Sequence, residues 1–277
     1  IVNALRNGLK EHAEDTGQKL TFTHFNQGSY ALDTGILPKD GDYDIDVGIV
    51  FSHTEDEFDD ALELKTFVRD ALDTHGRTVK TRRPCVTATY LKDGKTDYHV
   101  DLAIYVESST DDLKLAVGRE SSGDDQIYWE HCDPRGQIEK IKGRHTGDNG
   151  RQYRRCIRYL KKWRDHKFSG SGAPISIGLT CLAYAHFSPT TFGGQYSDLR
   201  AMKSMVTNIL NAADAADRVV ATLPARPWND VFEEMTTTQM ETFIDKLGDL
   251  DDALVDARDE DSVKEACKIL KRQFGPD

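Results

Sequence analysis

Polar and apolar positions alternate along residues 43–51, "YDIDVGIVF", so that Ile45, Val47, Ile49 and Phe51 fall on one face of a strand. The same period predicts strands over 84–92, "PCVTATYLK", and 97–108, "DYHVDLAIYVES", joined by a turn at Asp93-Gly94, with a shorter strand over 113–117. Helical spacing marks residues 1–16 and 56–75. In the second of these, Phe58, Leu62, Leu64, Phe67, Val68, Ala71 and Leu72 make the apolar stripe. A Gly-Ser turn at 28–29 leads into a further short helical turn. From about residue 126 nearly everything reads as helix, most strongly over 148–167, 174–187, 197–214, 236–257 and 261–273. The breaks in this half are "SGSGAP" (169–174) and "LPARPWND" (223–230).

This order of elements predicts an α+β fold. A lobe over 1–125 carries a mixed or antiparallel sheet with helices on one side. A helical lobe over 126–277 packs against it, with a cleft expected between the two.

Composition narrows the picture. At 277 residues, 38% hydrophobic and 30% charged, the chain is expected to be an ordinary soluble globular protein. No apolar run approaches the ~20 residues a membrane span needs, so no membrane partner is expected. The charges in "IVNALRNGLKEHAEDTG" do not read as a signal peptide. The start at Ile1 rather than Met leads us to expect further native residues before it. The five cysteines, at 85, 132, 156, 181 and 267, lie far apart without zinc spacing, which fits a reduced, cytoplasmic setting. A net charge of −11 weighs against a protein whose main task is wrapping DNA or RNA. It leaves nucleotide binding open, because bound metal ions reverse the local sign.

The candidate chemistry lies in the acidic positions of the strands. Asp44 and Asp46 are two residues apart and project from one face, about 7 Å apart along the backbone. Asp101 stands among Val100, Leu102 and Ile104 in another strand. Three such aspartates on adjacent strands would form a hard oxygen site suited to Mg²⁺, two ions of which serve in-line displacement at phosphorus. The alternative is a solvated strand face. An acidic group inside an apolar strand argues against it, since an unpaired buried carboxylate is costly unless a cation meets it. Asp42 lies in the turn-like "KDGD" and is assigned to a loop. Gln27-Gly28-Ser29 could hold the β- and γ-phosphates of a nucleoside triphosphate, because glycine lets the backbone approach a ligand and the following turn offers N–H groups.

Together, the Gly-Ser pair, the D-x-D strand and the third strand aspartate resemble the polymerase-β-like nucleotidyltransferases. "QGSYALDTGI" is similar to the Q-G-S-x-x-x-G-T segment of the cGAS/DncV-like group within them, with Asp33 where glycine is common. "DYDIDVGIVF" and "DYHVDLAIYV" resemble its metal-binding strands. "CIRYLKKWRDHK", "APISIGLTCLAYAHF" and "LPARPWNDVFEEMT" resemble its helical segments, so the likeness spans about residues 20–275.

The resemblance implies that Asp44, Asp46 and Asp101 carry two Mg²⁺ ions, with Mn²⁺ as a substitute. Asp101 would also help deprotonate an attacking hydroxyl. It further implies that Lys161 contacts triphosphate oxygens and Ser176 the nucleotide. Ile177 replaces an aromatic residue found in some relatives, so base stacking would fall to Tyr30 or Tyr184 or be weaker. Arg82 and Arg83 could reach a phosphate, with a solvated pair as the alternative. The implied activity joins nucleoside triphosphates, without a template, into a cyclic di- or trinucleotide and releases pyrophosphate. In bacteria it would serve antiphage signalling, with the product read by a separate effector protein. The rival readings are a linear oligonucleotide synthetase, a transferase onto protein or small molecules, and an inactive nucleotide-binding sensor or scaffold. Strong nucleic-acid binding is not expected, and a monomer is.

Overall fold

The computed structural model describes residues 1–37, 43–73, 77–92, 95–108, 112–170 and 172–276. Asp42 and the Asp93-Gly94 turn lie outside them. The chain divides into two compact units. The first comprises Ile1–Leu32, Leu37–Ile138 and Ala225–Pro227, and the second comprises Asp33–Ile36, Glu139–Pro224 and Trp228–Asp277.

The first unit is a seven-stranded mixed sheet in the order β1 (Phe22–Asn26), β2 (Tyr43–Phe51), β5 (Lys95–Glu107), β4 (Val86–Lys92), β3 (Arg77–Thr81). Strand β6 (Leu113–Val117) pairs with β5, and β7 (Tyr128–Cys132) with β6. Only β2 and β5 run parallel among the described pairings.

Helices α1 (Val2–Thr16) and α3 (Ala61–Leu72) cover the apolar face. Leu5, Leu9, Leu64, Val68 and Leu72 meet Val47, Ile49, Phe51, Leu102 and Ile104 there, all of them buried. The expected alternation of β2 and β5 thus sends one side into this core and leaves the acidic side for the other face.

Three strands of this sheet escape the sequence reading. Among the described residues β1, β3 and β7 each have a neighbour on one side only, and of "RTVKT" in β3 just Val79 is buried. An edge strand buries too little to show a clear period, so pairing rather than pattern makes it a strand. β7 also corrects the expectation that residues beyond 126 are almost wholly helical. The helix expected over 56–75 is shorter, because the Asp60 carboxylate caps α3 by accepting from the N–H groups of Leu62 (2.7 Å) and Glu63 (2.8 Å). Phe58 joins the core from the segment before that cap.

The second unit is built of α5 (Gly147–Lys167), α6 (Ser176–His186), α7 (Asp198–Ala216), α8 (Thr237–Asp259) and α9 (Val263–Phe274), with the second half of α4 (Pro134–Gly143). A small hairpin of β8 (Thr191–Phe192) and β9 (Gln195–Tyr196) precedes α7. Tyr153, Ile157, Leu160 and Trp163 of α5 are buried at its centre. Trp163, Phe168 and Phe232 all lie 5.5–6.2 Å from one of their aromatic neighbours around Phe243. Among the described residues, no helix is long and apolar enough to cross a membrane.

Candidate active site

Parallel pairing sets the geometry of the site. Asp46 of β2 is the register partner of Asp101 of β5, and Asp44 is the partner of His99. Register partners on neighbouring strands share a face, so Asp44, Asp46, His99 and Asp101 form a two-by-two polar field on the side of the sheet away from α1 and α3. Asp44 is exposed, whereas Asp46, His99 and Asp101 are half-buried. Farther along the same face the character turns apolar, with Val50, Tyr105 and Cys132 buried against Phe25, Leu113 and Leu115. The acidic group is therefore bordered along its own face by an apolar patch.

The Gly-Ser segment is fastened to this field. The Gln27 N–H donates to the Asp46 carbonyl at 2.9 Å, and Gln27 Nε2 donates to the Tyr105 hydroxyl at 2.8 Å. The short helix α2 (Gly28–Ala31) starts at once, with Gly28 at φ +58°. A β-carbon on Gly28 would stand 1.8 Å from Asp46 Oδ2, so only glycine lets this backbone lie on the carboxylate. Burial pushes the Tyr105 hydroxyl well above its usual pKa, with the Cys132 thiol and Asp46 carboxylate nearby adding to the rise. Tyr105 accordingly stays a neutral anchor for Gln27.

On the other side of β5, Thr87 Oγ1 donates to Asp101 Oδ1 at 2.6 Å, and Thr89 Oγ1 lies 2.9 Å from His99 Nδ1. Neither threonine, nor His99, nor Tyr105 was singled out from the sequence. Thr87 and Thr89 do alternate with Val86, Ala88 and Tyr90, which is the trace that β4 shares the polar face of β5.

The other sequence candidates have contacts of their own. Lys161 sits in the second unit, 3% exposed, and its ammonium donates to the Thr34 carbonyl (3.1 Å) and hydroxyl (3.2 Å). Ser176 opens α6, where its hydroxyl accepts from Arg164 at 3.0 Å. Tyr30 is exposed, while Tyr184 carries the Arg144 guanidinium 5.1 Å above its ring. Arg82 and Arg83 are exposed, and the fully buried Lys65 holds their main-chain carbonyls.

The three aspartates offer hard oxygen donors of the kind Mg²⁺ takes, on one face and in strand register. Among the described residues, however, no three His, Cys, Asp or Glu side chains converge into a finished ligand set. The fit to a divalent ion is thus one of donor chemistry and of backbone placement.

A mixed sheet with a Gly-Ser turn laid against paired strand aspartates defines the fold as that of a nucleotidyltransferase. Residues 22–105 match the family model of the nucleotidyltransferase domain of DncV-like cyclic GMP-AMP synthases. Solved structures of Vibrio cholerae DncV share the fold across the chain. The cyclic AMP-GMP synthase, a prokaryotic cGAS homologue, is 22% identical with a TM-score of 0.70, covering 96% of this chain and 71% of that one. Its GTP-bound form gives 23% and 0.73, covering 95% and 70%. The complex with the linear intermediate 5′ pppA(3′,5′)pG gives 24% and 0.70, covering 96% and 71%.

Proposed function

We propose that this protein is a template-independent nucleotidyltransferase that joins nucleoside triphosphates into a cyclic di- or trinucleotide and releases pyrophosphate. The observation that carries this reading is the register pairing of Asp46 with Asp101, with Gly28 laid against Asp46. The DncV structures with GTP and with a linear pppA(3′,5′)pG intermediate support it by likeness of fold.

Asp44, Asp46 and Asp101 would hold Mg²⁺, or Mn²⁺ in its place, which when bound neutralises triphosphate charge and favours a deprotonated hydroxyl. The N–H groups of the α2 first turn and the Ser29 hydroxyl bind the β- and γ-phosphates. Asp101 accepts the proton of the attacking ribose hydroxyl. The new bond forms between that oxygen and the α-phosphorus of a second nucleotide. The bond from the α-phosphorus to the bridging oxygen breaks, and pyrophosphate leaves with that electron pair. A second round within the linear product closes the ring. The rate gain rests on positioning and on charge placed in advance. The product is a signal read by a separate effector protein, with antiphage defence as its setting.

The test is incubation with all four NTPs and Mg²⁺ or Mn²⁺, followed by mass spectrometry. Phosphatase-resistant cyclic products are expected from the native protein and not from the double variant Asp44→Asn, Asp46→Asn. Absence of pyrophosphate release from every NTP mixture would overturn the reading.

A further inference from the structure

We infer that Thr87 is a positioning residue for the phosphoryl-transfer step, and that it fixes which oxygen of Asp101 is free to act. The inference rests on the function proposed above. Thr87 is 5% exposed and is the register partner of Asp101 across the antiparallel β4–β5 pair. Its hydroxyl has one proton, and that proton is given to Asp101 Oδ1 at 2.6 Å. The Thr87 oxygen is then left as an acceptor, and Cys85 Sγ lies 3.6 Å from it. Cys85 is buried, and burial first, then the Asp101 charge, pushes its thiol up to about 12, so it keeps its proton; with the Thr87 proton already given to Asp101, the thiol is the donor in this contact. The three groups form a directed chain, Cys85 S–H to Thr87 O–H to Asp101.

Two consequences follow for the carboxylate. Oδ1 already accepts the Thr87 proton, so Oδ2 is the oxygen left open toward the attacking hydroxyl. The rotamer of Asp101 is also fixed from the side opposite Asp46, because β4 and β2 flank β5 on its two edges. A strand bulge makes this possible. Lys92 pairs with Lys95 and Leu91 with Thr96, but Tyr90 pairs with Tyr98, so β5 carries one extra residue. Without that residue Thr87 would face Val100 and point into the core. With it, Thr87 and Thr89 stand on the acidic face, beside Asp101 and His99.

The test compares Thr87→Val, which keeps the shape and removes the hydroxyl, with Thr87→Ser, which keeps the hydroxyl. Three readouts are taken: steady-state kinetics of pyrophosphate release, Mn²⁺ binding by electron paramagnetic resonance, and thermal unfolding. T87V is expected to lose about 10- to 100-fold in kcat with KM nearly unchanged, to bind Mn²⁺ several-fold more weakly, and to unfold near the native temperature. T87S is expected to recover most of both losses. An active native protein with T87V equal to it, or with T87S as impaired as T87V, overturns the inference and leaves the proposed function standing. A native protein inactive with every NTP removes that function, and Mn²⁺ binding then decides. Weaker binding in T87V with recovery in T87S supports the positioning role, whereas equal binding in all three, or none in the native protein, overturns it.

Discussion

Gly28 lies so close to Asp46 that a β-carbon on it would stand 1.8 Å from the carboxylate oxygen Oδ2. Its φ of +58° adds about 1–2 kcal/mol of strain for any L side chain. Gly28→Ala must therefore push the turn off the aspartate, and a displacement of about 1 Å in such a site costs on the order of 100-fold in rate. The expected result is loss of pyrophosphate release by at least that factor, with far-UV circular dichroism unchanged. Ser29→Ala, which removes one donor and moves no backbone, should mainly raise KM for the NTP.

The acidic constellation was legible because Asp44, Asp46 and Asp101 break the apolar rhythm of strands that bury Val47, Ile49, Leu102 and Ile104. The shell around it was not. Thr87 and Thr89 are ordinary strand residues, and the bulge between Tyr90 and Leu91 that turns them onto the site face leaves no sign in a single sequence. The edge strands β1, β3 and β7 were missed because each satisfies its backbone on one side and buries few side chains. Lys65 was passed over within the stripe of α3, although it is fully buried. A lysine among leucines reads as an exposed charge until the carbonyls that receive it are seen.

Lys65 makes the pH dependence of stability testable. Its ammonium donates to the carbonyls of Arg82, Arg83 (2.9 Å) and Gly118, and burial lowers its pKa from 10.5 to about 8. Between these values the unfolded chain holds the proton more firmly than the folded one. Stability from this residue is therefore lowest below pH 8 and rises as pH climbs toward 10.5, by at most about 3 kcal/mol. Lys65→Met should be less stable at neutral pH, since three carbonyls lose their donor, and should lack that rise. Urea unfolding of both proteins from pH 7.5 to 10 checks the difference in slope.

Lys161 is predicted to act first on stability. Its ammonium is the donor to both oxygens of Thr34, itself 1% exposed, while Arg158 donates to the Asp33 carbonyl at 2.8 Å. The two cations tie segment 33–36 to α5. Lys161→Met leaves those oxygens buried without the ammonium and should cost about 1–3 kcal/mol, seen as a lower midpoint in chemical denaturation. An unchanged midpoint would show that Thr34 finds another donor.

The register pairing of Asp46 with Asp101 sets two carboxylates side by side on neighbouring strands, with Asp44 two residues away on the same face. Like charges placed opposite one another in a sheet destabilise it by roughly 0.5 kcal/mol. Function and stability should then pull in opposite directions at Asp46, as they do where a site is built from groups that repel. Asp46→Asn removes one charge and keeps the shape. In a chelator-treated sample it is expected to unfold about 1–2 °C above the native protein, while releasing no pyrophosphate under any condition. Adding millimolar Mg²⁺ should raise the midpoint of the native protein and move the variant less, because a bound cation stabilises only the state that offers it ligands. A native protein whose midpoint ignores Mg²⁺ and Mn²⁺ alike, with and without NTP, would show that these three aspartates do not form a metal site.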